Sequence, residues 1–181
     1  MSQLSDYIGK NVLNRRLKKV SRDKSVQNFE TANSAVILFD ASLPECFPPI
    51  KDFTKFLKKQ GIATTVFGYV AEKEIPQEMT LWAGFEFITR ADINWYGSPR
   101  GEKAELYFGN NPDMLFVISF ISNLTIEYLS KLSTAKFKIG CYAENDQCDL
   151  DLMINPANKD CEVSYFLEQV KHYITLLKPA K

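Results

Sequence analysis

Ala35-Val-Ile-Leu-Phe39, running into Asp40-Ala-Ser42, is the stretch from which the fold is read. A continuous apolar run of this length fits a strand covered on both faces, as strands of a parallel sheet must be. Downstream, Pro48 and Pro49 open a helix whose Ile50, Phe53, Phe56 and Leu57 share one face, and Gly61 closes it. Thr64-Thr-Val-Phe-Gly-Tyr-Val70 follows as a second strand by its β-branched and aromatic content. Strand, helix and strand within about 35 residues make a βαβ unit with a right-handed crossover.

The same alternation continues outward. Phe85 to Ile88 reads as a third strand and Glu102 to Phe108 as a helix. Gly109-Asn-Asn-Pro112 is a strong break, and Met114 to Ile121 is the most hydrophobic strand, which places it centrally. Ser122 or Asn123 caps the next helix, where Leu124, Tyr128, Leu129 and Leu132 share a face and Glu127 and Lys131 pair at i,i+4. Lys136 to Cys141 and Asp149 to Ile154 read as strands joined by the turn-rich Glu144-Asn-Asp-Gln147, a connection so short that it predicts an antiparallel pair. Val163, Phe166, Leu167, Val170, Ile174 and Leu177 mark a long amphipathic helix ending before Pro179. Upstream, Leu4, Tyr7, Ile8, Leu13, Leu17 and Val20 recur at roughly helical spacing.

The resulting expectation is an α/β protein, a three-layer α/β/α sandwich of Rossmann-like or flavodoxin-like form. Its sheet is mostly parallel with an antiparallel C-terminal strand pair. Residues 34–181 form one α/β domain, preceded by a basic N-terminal helix and connecting segment over residues 1–33.

The chain has 181 residues, 45% of them hydrophobic, enough for one substantial core. Its 22 basic and 22 acidic residues balance, which argues against a dedicated nucleic-acid binder. The balance is not uniform along the chain: through Lys24 seven basic residues face only Asp6 and Asp23, so the remainder carries the compensating negative charge. That basic segment is read first as a helix lying against the domain with its charges solvated, and second as a contact for an acidic partner, RNA or a membrane surface. No apolar stretch reaches membrane-spanning length and the N-terminus lacks the order of a secretory signal, so a cytoplasmic location is expected. Cys46, Cys141, Cys148 and Cys161 have no C-x-x-C spacing and His172 stands alone, so neither a metal nor a cofactor is expected. Free, partly buried thiols are preferred over a Cys141–Cys148 disulfide.

Four stretches bear on function. Phe87-Ile-Thr-Arg-Ala-Asp-Ile-Asn-Trp-Tyr-Gly-Ser-Pro99, Thr134-Ala-Lys-Phe-Lys-Ile-Gly140, Asp151-Leu-Met-Ile154 and Phe166-Leu-Glu-Gln-Val-Lys-His-Tyr173 resemble a family of uncharacterised small bacterial proteins, a domain of unknown function. The resemblance covers residue 34 to the C-terminus and extends loosely to the basic helix. It implies an intracellular bacterial α/β domain and no chemistry.

Ligands of open α/β sheets sit outside the carboxyl ends of strands. That rule selects Asp40, Ser42, Tyr69, Arg90, Asp92, Asn94, Ser119 and Ser122, with Trp95 beside them. Arg90 or Arg100 would hold a phosphate or carboxylate, and Trp95 or Tyr96 would stack a ring. The alternative, which we prefer, is that Ile93 and Trp95 anchor a packed loop and Asp92 caps a turn. Asp40 lacks the second aspartate of a phosphohydrolase, since Ser42 occupies that place, and a turn-closing role suits it better. Asp149 and Asp151 share one face of their expected strand. A buried face would raise one carboxyl, whereas a wet edge strand explains them more cheaply. The chain carries no phosphate loop, G-x-G-x-x-G, G-x-S-x-G or H-E-x-x-H motif. What remains is a binding or regulatory protein for a partner or small ligand, with an enzyme or nucleotide-type crevice, or an adaptor working through the basic helix, as alternatives.

Overall fold

A computed structural model describes residues 3–42, 44–120, 122–142, 149–155 and 162–178. Six strands form one sheet: β1 (Ser34–Asp40), β2 (Ala63–Val70), β3 (Phe85–Thr89), β4 (Met114–Ile118), β5 (Phe137–Cys141) and β6 (Leu152–Ile154). Their order is β3-β2-β1-β4-β5-β6, and every pairing is parallel. Five helices accompany them: α1 (Gln3–Leu17), α2 (Phe47–Lys59), α3 (Gly101–Gly109), α4 (Leu124–Leu132) and α5 (Val163–Leu176).

The apolar runs explain the layering. In β1, Ala35, Ile37 and Phe39 face a core shared with Ile50, Phe53 and Leu57 of α2 and Phe166, Val170 and Ile174 of α5. Val36 and Leu38 face the other way, onto Tyr107 of α3 and Ile126 and Leu129 of α4. Connections that step from β1 toward β3 use the first face, where Met79 of the β2–β3 link packs; those that step from β3 back toward β5 use the second. Crossovers of one hand demand this division. The result is the expected three-layer α/β sandwich.

The C-terminal strand pair departs from expectation: β5 and β6 run parallel, with Ile139 opposite Leu152 and Cys141 opposite Ile154. Ten residues separate the two strands. Fully extended they reach roughly 33 Å, ample to return along a five-residue strand of about 17 Å. Gly140 leaves the sheet face open: a Cβ there would stand 2.7 Å from Leu150 Cδ1 and 3.1 Å from the Val117 carbonyl oxygen. Leu150 lies on the sheet at that place and joins the second core.

The N-terminal helix also differs from its periodicity. Leu4 and Tyr7 are 66% and 68% exposed, while Ser5, Gly9 and Leu13 are buried. The helix seats by close approach rather than by an apolar stripe. A Cβ on Gly9 would overlap the Tyr96 carbonyl oxygen, the Tyr128 hydroxyl donates to the Gly9 carbonyl at 2.6 Å, and Leu13 packs on Tyr128 and Leu132. Val20 lies beyond the helix, in a strap that continues across the amino ends of the strands until Phe29 and Ala32 enter the opposite core. Asn28 fastens the end of this strap, accepting from the Glu30 and Thr31 amides and donating to the Leu177 carbonyl at 3.1 Å.

Gly9→Ala is expected to cost about 1–3 kcal/mol in urea unfolding, since backbone rather than a flexible side chain must yield. The neighbouring exposed Lys10→Ala should stay within about 0.5 kcal/mol of the parent.

Candidate functional site

The strand order places a topological switch point between β1 and β4, where connections leave in opposite directions. Asp40 ends β1 and Ser119 follows β4, and the two strand ends pair through Phe39 and Ile118. Arg90, Asp92, Asn94 and Trp95 follow β3, two strands away from β1 or about 10 Å. The sequence candidates thus fall into two groups rather than one crevice.

At the switch point, Asp40 is engaged locally. Its Oδ1 accepts the Ser42 amide at 3.0 Å and the Ser42 hydroxyl at 2.6 Å, closing a turn. Helix α2 then starts at Phe47 with prolines 48 and 49 in its first turn. A helix start binds phosphate through free backbone N–H groups, and proline has none. Cys46 caps this helix through its backbone but not its side chain. Burial first, then the Glu45 and Asp40 carboxylates, push its thiol up to about 11, so it is protonated at neutral pH. Asn123 caps α4, accepting from the Thr125 and Ile126 amides.

The Thr89–Gly101 segment is a brace. Thr89 and Asp92 form a reciprocal capping box: the Asp92 carboxylate accepts the Thr89 amide and hydroxyl at 2.8 and 2.9 Å. Arg90 donates to the Asn94 carbonyl at 3.2 Å, and Asn94 Oδ1 accepts the Tyr96 and Ser98 amides. Residues beyond the loop lock it further: Arg16 of α1 donates to the Ser98 hydroxyl at 3.0 Å, and Thr125 of α4 to the Gly97 carbonyl at 3.4 Å. Ile93 is buried in the second core, whereas Trp95 is 61% exposed. Of the two expected anchors, only Ile93 anchors.

A third constellation stands at the amino ends of β5 and β6, and of its members the sequence singled out only Asp149 and Asp151. Lys138 is completely buried beneath the last turn of α4, its Nζ donating to the Ser130 and Lys131 carbonyls at 2.8 and 3.2 Å. These are helix-terminal acceptors with no partner inside the helix, at the negative end of its dipole. Asp149 Oδ2 stands 3.7 Å from the ammonium. Arg22 of the strap, its side chain 5% exposed, donates to the Ala135 and Lys136 carbonyls and pairs with Asp151. Lys24 reaches Asp149 at 3.2 Å and Asp151 at 3.6 Å.

Asp149 and Asp151 therefore precede β6, the edge strand, rather than alternate along it; both keep access to solvent, and each is paired with cations rather than repelling the other. Burial pushes the Asp149 carboxyl up, but Lys138 foremost, with Lys24 and Arg22, holds it below the ordinary carboxylate range. Burial, reinforced by Arg22, brings the Lys138 ammonium down to about 8 against the pull of the two aspartates. A cavity of about 630 Å³ opens beside this cluster, between the strap and the end of α4, with Leu17, Val20, Arg22, Lys24, Lys131 and Asp149 among its walls. The local hint in the sequence was the Asp149–Asp151 alternation, since Arg22 and Lys24 lie more than a hundred residues away.

His172 is exposed on α5 with its ring beside Tyr173. Cys46 is a buried free thiol and Cys141 is buried; Cys148 and Cys161 lie outside the described residues, and with them the Cys141–Cys148 question. Among the described residues no group of three or more His, Cys, Asp and Glu side chains gathers to hold a metal, and no helix is long and apolar enough to cross a membrane.

Lys138 yields a pH test. Below pH 8 folded and unfolded chains both keep its proton and the burial cost is felt in full. Between 8 and the ordinary 10.5 only the unfolded chain keeps it, so its contribution to stability rises with pH. The stability of the parent minus that of Lys138→Met should therefore grow by about 2–3 kcal/mol across that window, measured by urea unfolding. The subtraction removes the opposing contribution of Cys46, which both proteins share.

No curated protein matches this chain. Residues 6–177 match the model of DUF6913, a family of unknown function, and the chain belongs to that family.

Proposed function

We propose that this is a noncatalytic, cytoplasmic α/β binding or regulatory domain. Residues 34–181 are its folded unit, residues 1–33 are a helix and strap clamped onto it, and its work is to hold a protein partner or small ligand. The observation that carries the reading is the disarmed switch-point crevice. The strand order is that of dinucleotide-binding sheets, yet prolines 48 and 49 occupy the helix start where a pyrophosphate would sit. Asp40 is committed to Ser42, and Cys46 is buried and protonated. Arg90, Asp92 and Asn94 spend their polar groups on the loop itself. Trp95 is the member of the sequence-selected set left most available to a partner, and aromatic side chains of this kind anchor interfaces.

In a thermal-shift screen of nucleotides and metabolites, phosphate-bearing nucleotides are expected to leave Tm unchanged. Any compound that raises it should be recovered chemically intact by mass spectrometry. Conversion of a ligand in excess over protein overturns the noncatalytic reading.

Helix α1 supports the adaptor alternative through one observation: Leu4, Tyr7, Lys10 and Arg15 are all exposed, with Lys18 and Lys19 just beyond. If this surface meets an anionic partner, Lys18→Glu with Lys19→Glu should abolish salt-sensitive binding to RNA or to anionic vesicles. Absence of any such binding by the parent chain rules the alternative out.

A further inference from the structure

We propose that the cavity between the strap and the end of α4 is a binding site for an amphipathic monocarboxylate, whose carboxylate rests on Lys24 and Lys131 and whose apolar part lies on Leu17 and Val20. The inference rests on the binding-domain reading and gives it a site and a ligand class, at the end of the sheet opposite the switch point.

Size comes first. About 630 Å³ lies within the range of pockets that enclose small organic molecules. The lining is divided: Leu17 and Val20 are half-buried members of the small core around Tyr128, while Arg22, Lys24, Lys131 and Asp149 supply charge. A wholly polar ion would leave the apolar wall wet, and a hydrocarbon would leave the cations unanswered.

Charge then fixes the sign. Among the described residues that line the cavity, Arg22, Lys24 and Lys131 bring positive charge and Asp149 negative. An anion fits that excess, and a cation would meet net repulsion.

Availability separates the cations. Arg22 is saturated by two carbonyls and Asp151, and Lys138 by two carbonyls. Lys24 is 57% exposed at its side chain and shares two carboxylates already held by Arg22 and Lys138, so it can turn toward a ligand without stranding them. Lys131, its side chain 10% exposed and held by Glu127 at 2.5 Å, lines the cavity as a second ammonium that a ligand would share with Glu127.

The test uses the full chain with octanoate, octanol and octylamine as probes, followed by calorimetry. Octanoate should bind, with octanol at least about tenfold weaker and octylamine weaker still. Lys24→Met should weaken octanoate about tenfold and Lys24→Arg should retain it. Val20→Asp, which sets a carboxylate against the apolar wall, should abolish it; unfolding curves of each variant establish that it folds. No octanoate binding, equal binding of octanol, or full binding by folded Lys24→Met overturns the site. In those cases the broader binding reading still stands on its own screen. Binding at this site followed by chemical change of octanoate supports the site and overturns the noncatalytic reading instead.

Discussion

Parallel pairing is the constraint on which the rest of this molecule depends. A strand hydrogen-bonded to parallel neighbours on both sides must be reached by chain that returns over a face of the sheet, and one hand of crossover sends leftward and rightward steps over opposite faces. Both faces are therefore covered, which is why β4 and the Ala35–Phe39 stretch of β1 are apolar throughout. The order β3-β2-β1-β4-β5-β6 then fixes α2 and α5 in one layer and α3 and α4 in the other. It also leaves the amino ends of the strands without a helix of their own. The strap after α1 takes that place, entering on the α4 side and ending with Phe29 in the opposite core.

Closing the amino ends sets an electrostatic problem. Helix α4 ends directly above β5, and its last carbonyls need donors where water is excluded. Lys138 points from β5 into that space and supplies them, at the cost of burying a cation. The aspartates ahead of β6 answer the charge, and Arg22 ties them to the strap. Asp151 does more than pair: its carboxylate accepts the Lys138 amide at 2.8 Å while its own amide donates to the Lys138 carbonyl, so the ion cluster also sets the register of the edge strand.

What the sequence made legible was whatever rests on local periodicity. The apolar runs at 35–39 and 114–118, the prolines before Ile50 and the stripe from Val163 to Ile174 each locate an element from neighbours a few residues apart. Two errors share one cause. The β5–β6 connection involves Gly140 making room for Leu150, and the seating of α1 involves Gly9 meeting Tyr96, contacts in which the missing side chain carries the information. The ion cluster was hidden for a related reason: Arg22 and Asp151 lie 129 residues apart, and no pattern within a window links them.

The two polar regions of the chain now separate on physical grounds. In the Thr89–Gly101 loop the acceptors and donors are matched in kind: Asp92 with a capping box, Asn94 with two amides, Arg90 with carbonyls, and the loop is braced by α1 and α4. A segment so satisfied offers a ligand little that it does not already have, since each new bond replaces an old one. At the amino end Lys138 is demanded by the carbonyls of α4 and Arg22 by those of Ala135 and Lys136, and among the described residues lining the cavity the cations Arg22, Lys24 and Lys131 outnumber Asp149. Residual charge beside an apolar wall is a condition that folding leaves unresolved and a bound anion relieves. The polar residues that look most like a site from sequence are thus the ones the fold consumes, and the ones it leaves in excess stand at the opposite end of the sheet.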